Sequence, residues 1–288
     1  MNGPRRIGGS TRSVGVIGWP VAHSMSPAIH NAAFAALEMD WVYVPMPVPP
    51  ARVAEAIAGL GALGFAGANV TMPHKTACAE LIHDLSEDAR RLRAVNTIVV
   101  GPEEVSGHNT DAPGFGRFLR EDAGFDPAGR AALLFGAGGA ARACALALAR
   151  AGLGSLAVAV REPSRAEPLR GTLDGFETAV RVVPFDDAPS VPADLVVNAT
   201  PLGVHGELLP LPPLGPGMLA VDLLYRPGIT PLLSSAREAG AAGHGGLGLL
   251  LHQAALSIEL WTGRVPPLAV MSAAALAEGA DGGPSAEA

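Results

Sequence analysis

Lysine is almost missing from this chain. Among 20 basic side chains in 288 residues, only Lys75 is not an arginine. Gln253 is the only glutamine, Tyr43 and Tyr225 are the only tyrosines, and aromatic residues make up just 5%. The two cysteines, Cys78 and Cys144, fall in no paired motif. That excludes a disulfide scaffold and reads as two small buried hydrophobes in a reducing, cytoplasmic setting. Long apolar runs are absent as well; the longest reach about ten residues, too short to cross a bilayer. Arg5 and Arg6 have no apolar run behind them, so the N-terminus does not read as a signal peptide. Charged residues are only 16%, the formal net charge is −7, and cations cluster only at Arg90, Arg91 and Arg93. No basic stripe is available to a nucleic acid.

What remains is a good core-former. Hydrophobic residues reach 49%, enough for one large or two ordinary domains. The 36 glycines and 26 prolines stay below the range of disordered low-complexity chains. In a chain that turns nearly every cation into arginine, a retained lysine is either a chance surface survivor or a residue whose work arginine cannot do. Arginine does not give up its proton, whereas an ammonium can be tuned into an acid or base. Lys75 is therefore a candidate catalytic group.

The hydrophobic pattern alternates strands with helices. Strands are expected at Val14–Ile17, Trp41–Val44 and Gly67–Thr71, with a strand pair at Asn96–Val100 and Glu104–His108. Helices are expected at Pro27–Leu37, Ala51–Leu60 and Pro73–Leu81. This alternation argues for a parallel α/β sheet. A second α/β unit starts near Ala131, with strands at Ala131–Phe135, Leu156–Val160, Ala179–Val183, Leu195–Ala199 and Leu219–Leu223 and a helix at Ala140–Arg150. A late helix, Gly246–Gly263, is expected to return to the first unit. The predicted domains are 1–112 with 247–288, and 113–246; residues 1–13 and 279–288 read as frayed ends.

Gly136-Ala137-Gly138-Gly139-Ala140-Ala141 follows an apolar strand and opens a helix. The first glycine suits the tight turn, the second lets backbone approach a pyrophosphate, and the helix N-terminus favours the anion. The bland alternative is a structural strand-to-helix turn. At the end of the next strand, Val160-Arg161-Glu162-Pro163-Ser164-Arg165 offers no terminal carboxylate for a ribose but two arginines and a serine. Arg161, Ser164 and Arg165 could hold a 2′-phosphate, which favours NADP over NAD. Glu162 complicates this, because it could turn toward a ribose.

In Asn69-Val70-Thr71-Met72-Pro73-His74-Lys75 a strand end, a turn and a helix start share seven residues. Pro73 fits a first helical turn, and Lys75 would lie at the positive end of the helix dipole. Asp111 in Asn109-Thr110-Asp111 is the candidate carboxylate to hold its proton, or an N-cap, or both. In His23-Ser24-Met25-Ser26-Pro27 an extended chain would point both hydroxyls one way. Ser26 also reads as an ordinary N-cap, whereas Ser24 lacks that explanation. Asn96 opens a buried strand and needs a partner. His74, beside Lys75, reads as a solvated or wall residue. No two of the eight histidines have metal-ligand spacing, so no metal is expected.

Taken in order, these motifs together with Ala94-Val95-Asn96-Thr97, Asn198-Ala199-Thr200, Asp222-Leu223-Leu224-Tyr225 and Gly246-Leu247-Gly248 through Gln253 resemble shikimate dehydrogenases. The resemblance runs from Val14 to about Gly263. It implies an α/β fold of two domains: an N-terminal substrate-binding domain completed by C-terminal helices, and a Rossmann-type dinucleotide-binding domain. It implies NADP-dependent reduction of 3-dehydroshikimate to shikimate, with Lys75 and Asp111 as the catalytic pair. Ser24, Ser26, Thr71, Lys75, Asn96, Asp111, Tyr225 and Gln253 would bind substrate. Gly136, Ala137, Gly138, Gly139, Ala140, Arg161, Ser164, Arg165, Thr200, Leu223 and Gly246 would bind the cofactor. The chain departs from the family at the cofactor-selecting turn, where Asn-Arg-Thr is frequent and Val160-Arg161-Glu162 stands here. An NAD-preferring quinate/shikimate dehydrogenase, a paralogue acting on an amino analogue, and a non-catalytic dinucleotide sensor are the alternatives. The expected partner is a small-molecule substrate, with neither nucleic acid nor membrane, in a monomer or homodimer.

Overall fold

Short β-branched and alanine-rich runs become the strands of two separate sheets. The structure is a computed structural model that describes residues 7–225 and 228–281. These form two compact units. One runs through Thr110 and resumes at Gln253; the other is Asp111–His252.

The first unit contains β1 (Arg12–Gly18), α1 (Ser26–Ala36), β2 (Trp41–Pro47), α2 (Val53–Ala62), β3 (Gly67–Val70), α3 (Lys75–Leu81), β4 (Asp84–Leu85), α4 (Glu87–Leu92), β5 (Thr97–Val100) and β6 (Val105–His108). Its sheet has the order β2-β1-β3-β5-β6-β4. β2, β1 and β3 are parallel, but β5 runs antiparallel to both β3 and β6, so the sheet is mixed rather than parallel. The reason is the short 101–104 turn, which makes β5 and β6 a hairpin, and a hairpin cannot pair in parallel. Ile17, Ile57, Leu60, Val70, Cys78, Val95 and Ile98 form its core. Helix 73–81, expected from Pro73, begins only at Lys75 with His74 as its N-cap. Of the ends expected to fray, residues 1–6 and 282–288 lie outside the described residues. Arg12 and Ser13, however, pair with Trp41 and Val42 in the first sheet.

The second unit starts with α5 (Asp111–Glu121). It continues with β7 (Ala131–Phe135), α6 (Gly139–Arg150), β8 (Ser155–Val160), α7 (Glu167–Thr172), β9 (Ala179–Pro184), β10 (Leu195–Asn198), β11 (Leu219–Asp222), α8 (Pro231–Glu238) and β12 (Ala242–His244). The strand order is β12-β11-β10-β7-β8-β9, parallel throughout. This is the doubly wound Rossmann order, whose direction of winding reverses between β7 and β10. Alternate side chains feed two cores: Leu134, Val158, Val197 and Val221 on one face, and Leu133, Phe135, Ala157, Val196 and Ala220 on the other. A sheet covered on both faces reads as a continuous apolar run, which is why these strands were visible in the sequence.

Two helices end the chain, α9 (Leu247–Thr262) and α10 (Leu268–Asp281). The division between the units falls inside α9, between His252 and Gln253. In the first unit α10 packs along α1, and Trp261 Nε1 of α9 donates to the Ile98 carbonyl at 2.9 Å. Gly67 makes room for this contact, since a Cβ there would come within 2.3 Å of both the Ile98 oxygen and Trp261 Nε1. In the second unit Gly248 plays the same part against Phe118, whose ring would lie 2.4 Å from an added Cβ.

Candidate active site

In the second unit the glycine loop lies at the reversal between β7 and β10. Gly136 has φ +100°, and a Cβ there would meet Thr200 Cγ2 at 3.0 Å and the Ala199 oxygen at 3.2 Å. Only glycine combines that backbone with that approach. Gly138 is the N-cap of α6 and Gly139 its first residue, and no atom lies within 4 Å of a Cβ built on either. The open space above these glycines, at the start of a 12-residue helix, fits a dinucleotide pyrophosphate. Thr200 is held by Asn198, whose Oδ1 accepts from the Thr200 amide (3.0 Å) and hydroxyl (2.7 Å). Asn198 Nδ2 donates to Asp222 Oδ1 at 3.0 Å, and Asp222 also accepts from the Leu224 amide and the Thr230 hydroxyl. Burial raises the Asp222 carboxyl pKa, and these three donors offset part of the rise. Asn198, Asp222 and Thr230 thus tie the ends of β10 and β11 together. Gly246 must be glycine here too: a Cβ would lie 2.1 Å from the Leu223 oxygen.

The remaining cofactor candidates lie on the turn after β8. Arg161 is exposed, with its guanidinium 5.9 Å from the centre of the Phe185 ring. Arg165 Nε donates to Glu162 Oε2 at 3.1 Å, so Glu162 faces an arginine within its own turn. Ser164 is exposed on the same short 3-10 segment.

In the first unit the seryl segment differs from expectation. Met25, not Ser26, is the N-cap of α1, with helical φ −80° and ψ −9°, and its own side chain makes no capping bond. The stretch is therefore not extended. Ser26 is the first helical residue, while Ser24 Oγ accepts from the Ser26 amide at 3.3 Å. The local explanation withheld from Ser24 belongs to it, and Ser26 loses its own. His74 is buried rather than solvated, with Nε2 2.7 Å from the Val48 carbonyl. Thr71 is half-buried beside it, its amide donating to the Ile17 carbonyl, and Lys75 is half-buried at the first position of α3.

Asn96 has found its partners. Its Oδ1 accepts from the Thr110 amide at 2.8 Å and the Thr97 hydroxyl at 3.0 Å, and its Nδ2 donates to Thr110 Oγ1 at 2.9 Å. Behind it the two hydrogens of Asn69 Nδ2 are shared among three acceptors, the Asn96 backbone carbonyl (3.1 Å), Thr97 Oγ1 (3.1 Å) and Ser257 Oγ (2.9 Å). Ser257 donates to the carbonyl of Gln253, one turn earlier. Asn69, Thr97, Thr110 and Ser257 are all buried and form a polar floor that sequence reasoning missed. The available signal was a hydrogen-bonding residue inside each of three otherwise apolar patterns, Asn69 in β3, Thr97 in β5 and Ser257 in α9.

The structure places Ser24, Ser26, Thr71, Lys75, Asn96 and Gln253 in the first unit. It places Asp111, Tyr225 and all the cofactor candidates in the second. Asp111 is the first residue of α5 rather than a residue ahead of it, and Tyr225 is 38% exposed. Among the described residues no group of three or more His, Cys, Asp or Glu could hold a metal ion, and no helix is long and apolar enough to cross a membrane.

Comparison with known proteins names the family. A model of the shikimate dehydrogenase substrate binding domain matches residues 16–98, and one of the shikimate 5'-dehydrogenase C-terminal domain matches residues 246–276. The shikimate dehydrogenase (NADP(+)) of Moorella thermoacetica is 48% identical over 275 residues, which cover 92% of this chain and 93% of that protein. This chain belongs to the shikimate dehydrogenase family. Solved members agree in fold. Shikimate 5-dehydrogenase from Listeria monocytogenes, in complex with shikimate and NAD, gives a TM-score of 0.88 at 32% identity, covering 94% of this chain and 98% of that one. The enzyme from Thermus thermophilus, in complex with NADP(H) and shikimate, gives 0.83 at 37% identity, covering 93% and 99%. The two α/β units described above are the family's architecture.

Proposed function

We propose that this chain catalyses the reversible, NADP-dependent interconversion of shikimate and 3-dehydroshikimate. The observation that carries the reading is near full-length identity of 48% to an enzyme named for that substrate and cofactor, in a chain whose only lysine falls at the start of α3. A polyhydroxylated ring acid needs several fixed hydrogen-bonding groups, and Ser24, Ser26, Thr71, Asn96, Tyr225 and Gln253 are the groups proposed to meet it. Asn96 supports this role best, because the Thr110 amide locks the orientation of its side-chain amide.

When bound, the dinucleotide supplies the hydride acceptor or donor. In the oxidative direction Lys75 takes the proton of the reacting hydroxyl. In the reductive direction its ammonium stabilises charge growing on the carbonyl oxygen and delivers the proton to it. Asp111 is the carboxylate assigned to hold that proton in readiness. The amides of Gly138, Gly139 and Ala140 receive the pyrophosphate, with Ala137, Leu223 and Gly246 framing the loop. Arg161, Ser164 and Arg165 receive the 2′-phosphate. Arg165 must then leave Glu162, and an exposed ion pair worth about 0–1 kcal/mol yields easily to a phosphate. The free, buried Cys78 and Cys144 suit a reducing cytoplasm.

The test is a set of initial rates for shikimate and quinate, each with NADP and with NAD. Shikimate with NADP is expected to be fastest; quinate with NAD outpacing it would overturn the reading.

A further inference from the structure

Three of the groups assigned to the cofactor come from three separate segments: Thr200 after β10, Leu223 after β11 and Gly246 before α9. One buried pair joins them all. Asn198 and Asp222 are register partners at the ends of β10 and β11, and both are buried. The orientation of the Asn198 amide is forced. The Thr200 amide can only donate, so Asn198 Oδ1 lies against it. Nδ2 is left for two groups that only accept, the Leu202 carbonyl (2.9 Å) and Asp222 Oδ1 (3.0 Å). The backbone carbonyl of Asn198 accepts from the Leu223 amide at 3.0 Å. On Asp222 three donors converge. Oδ1 takes Asn198 Nδ2 and the Leu224 amide (3.1 Å), and Oδ2 takes the hydroxyl of Thr230 (2.7 Å), the N-cap of α8. Leu224 passes the constraint on, because its carbonyl accepts from the Gly246 amide at 3.0 Å.

We infer that Asp222 is a positioning residue for the dinucleotide: together with Asn198 it fixes Thr200, Leu223 and Gly246 as one rim. Neither side chain needs to touch the cofactor for this. Asp222 holds the plane of the Asn198 amide, and that amide holds the backbone and the hydroxyl of Thr200. Thr200 in turn borders the glycine loop, since its Cγ2 would lie 3.0 Å from a Cβ at Gly136. A rim ordered before the ligand arrives lowers the cost of binding it. The inference rests on the cofactor reading, because Thr200, Leu223 and Gly246 matter here only as dinucleotide contacts.

Calorimetric titration of the substrate-free enzyme with NADP tests it, alongside the melting temperature of each variant. Asp222→Ala removes every acceptor and is expected to raise the Kd by about tenfold or more, the loss of buried hydrogen bonds. Asp222→Asn keeps Oδ1 for Asn198 and Leu224, and the Thr230 hydroxyl can accept from its Nδ2, so its Kd should stay within about threefold of wild type. Thr178→Val is the control. It breaks a buried bond of the same kind, to the Leu153 carbonyl at 2.8 Å, at the amino ends of the strands. It should lower the melting temperature and leave the Kd unmoved. Asn198→Ala cuts Thr200 from Asp222 and leaves Asp222 its other two donors; it should raise the Kd as well, and it serves should Asp222→Ala not fold. A lowered melting temperature with a wild-type Kd in these two alanine variants would mean that the pair is only structural and would overturn the inference. An equal rise in Thr178→Val would overturn it too. A wild-type enzyme that does not bind NADP would instead overturn the cofactor reading, and the rim's role with it.

Discussion

His30 makes stability depend on acid in a way that can be worked out from its surroundings. The ring is completely buried between Tyr43, Phe34 and Trp261, and Nδ1 is committed to the Ser26 carbonyl. Nε2 has no hydrogen-bond partner among the described residues, so a proton there would be a buried charge with nothing to receive it. Burial depresses the pKa from 6.5 to about 4, and the single backbone bond to Ser26 offsets only part of the fall. The folded state therefore holds His30 neutral while the unfolded chain takes up a proton below its own pKa. The stability from this site is complete above the unfolded value and is lost as pH drops toward the folded one. Relative to pH 8, the loss is about 1.4 kcal/mol at pH 5.5 and about 3 kcal/mol at pH 4. His108, also depressed by burial and partly offset by Asp84, titrates in the same direction, so wild type alone does not isolate the effect. The comparison that does is urea unfolding of wild type and His30→Phe at pH 7.5, 6.5, 5.5 and 4.5. The gap between the two should close, or invert in favour of the variant, as pH falls. Parallel pH dependences would refute the reasoning, since they would mean His30 contributes no proton linkage.

Two further predictions concern single atoms. Lys75→Ala should lose most turnover, by about a hundredfold or more, with KM for NADP little changed. Lys75→Arg should fail as well, because a guanidinium keeps its proton; full activity of Lys75→Arg in a rate assay would reduce the lysine to a mere positive charge. Gly67→Ala should destabilise the first unit by about 3 kcal/mol or more, because the new methyl collides with the Ile98 carbonyl and the Trp261 indole and breaks their hydrogen bond. An unchanged urea midpoint would show that α9 can shift away at no cost.

The sequence was most readable where one physical rule decided the local structure. The central strands β7, β8, β10 and β11 of the second sheet carry side chains buried on both faces, so they stand out as apolar runs, and β7 matches the expected 131–135. The dinucleotide loop was equally plain, because its glycines answer to backbone geometry rather than to a partner far away. Elements with weak or short patterns went unread: β4 has two residues, α4 has six, and α10 looks like an alanine-rich tail until it packs on α1. The seryl segment failed for a different reason. Ser-Pro at a helix start signals an N-cap by preference alone, but Met25 takes that position with helical backbone, and Ser26 moves inside the helix. For His74 only the solvated alternative fell, because adjacency to Lys75 along the chain says nothing about the Val48 carbonyl that its ring reaches.

Rarity turns out to be informative beyond lysine. The six asparagines and one glutamine of this chain could have been surface filler, as amides often are. Instead all five asparagines among the described residues hold specific partners: Asn31 both backbone groups of Tyr43, Asn69 the floor, Asn96 Thr110, Asn109 the Ala94 carbonyl, and Asn198 Asp222. Asn31, Asn69, Asn96 and Asn198 each use both sides of the group, donor and acceptor on one rigid plane. Arginine cannot accept, so it could not fill such a position. The same logic applies to the tyrosines. Tyr225 drew notice first because of its motif, but Tyr43 is the one whose single oxygen is buried and aimed at an amide that only a donor can satisfy. In a chain this depleted, these scarce side chains stand where the fold needs a fixed geometry and not mere polarity.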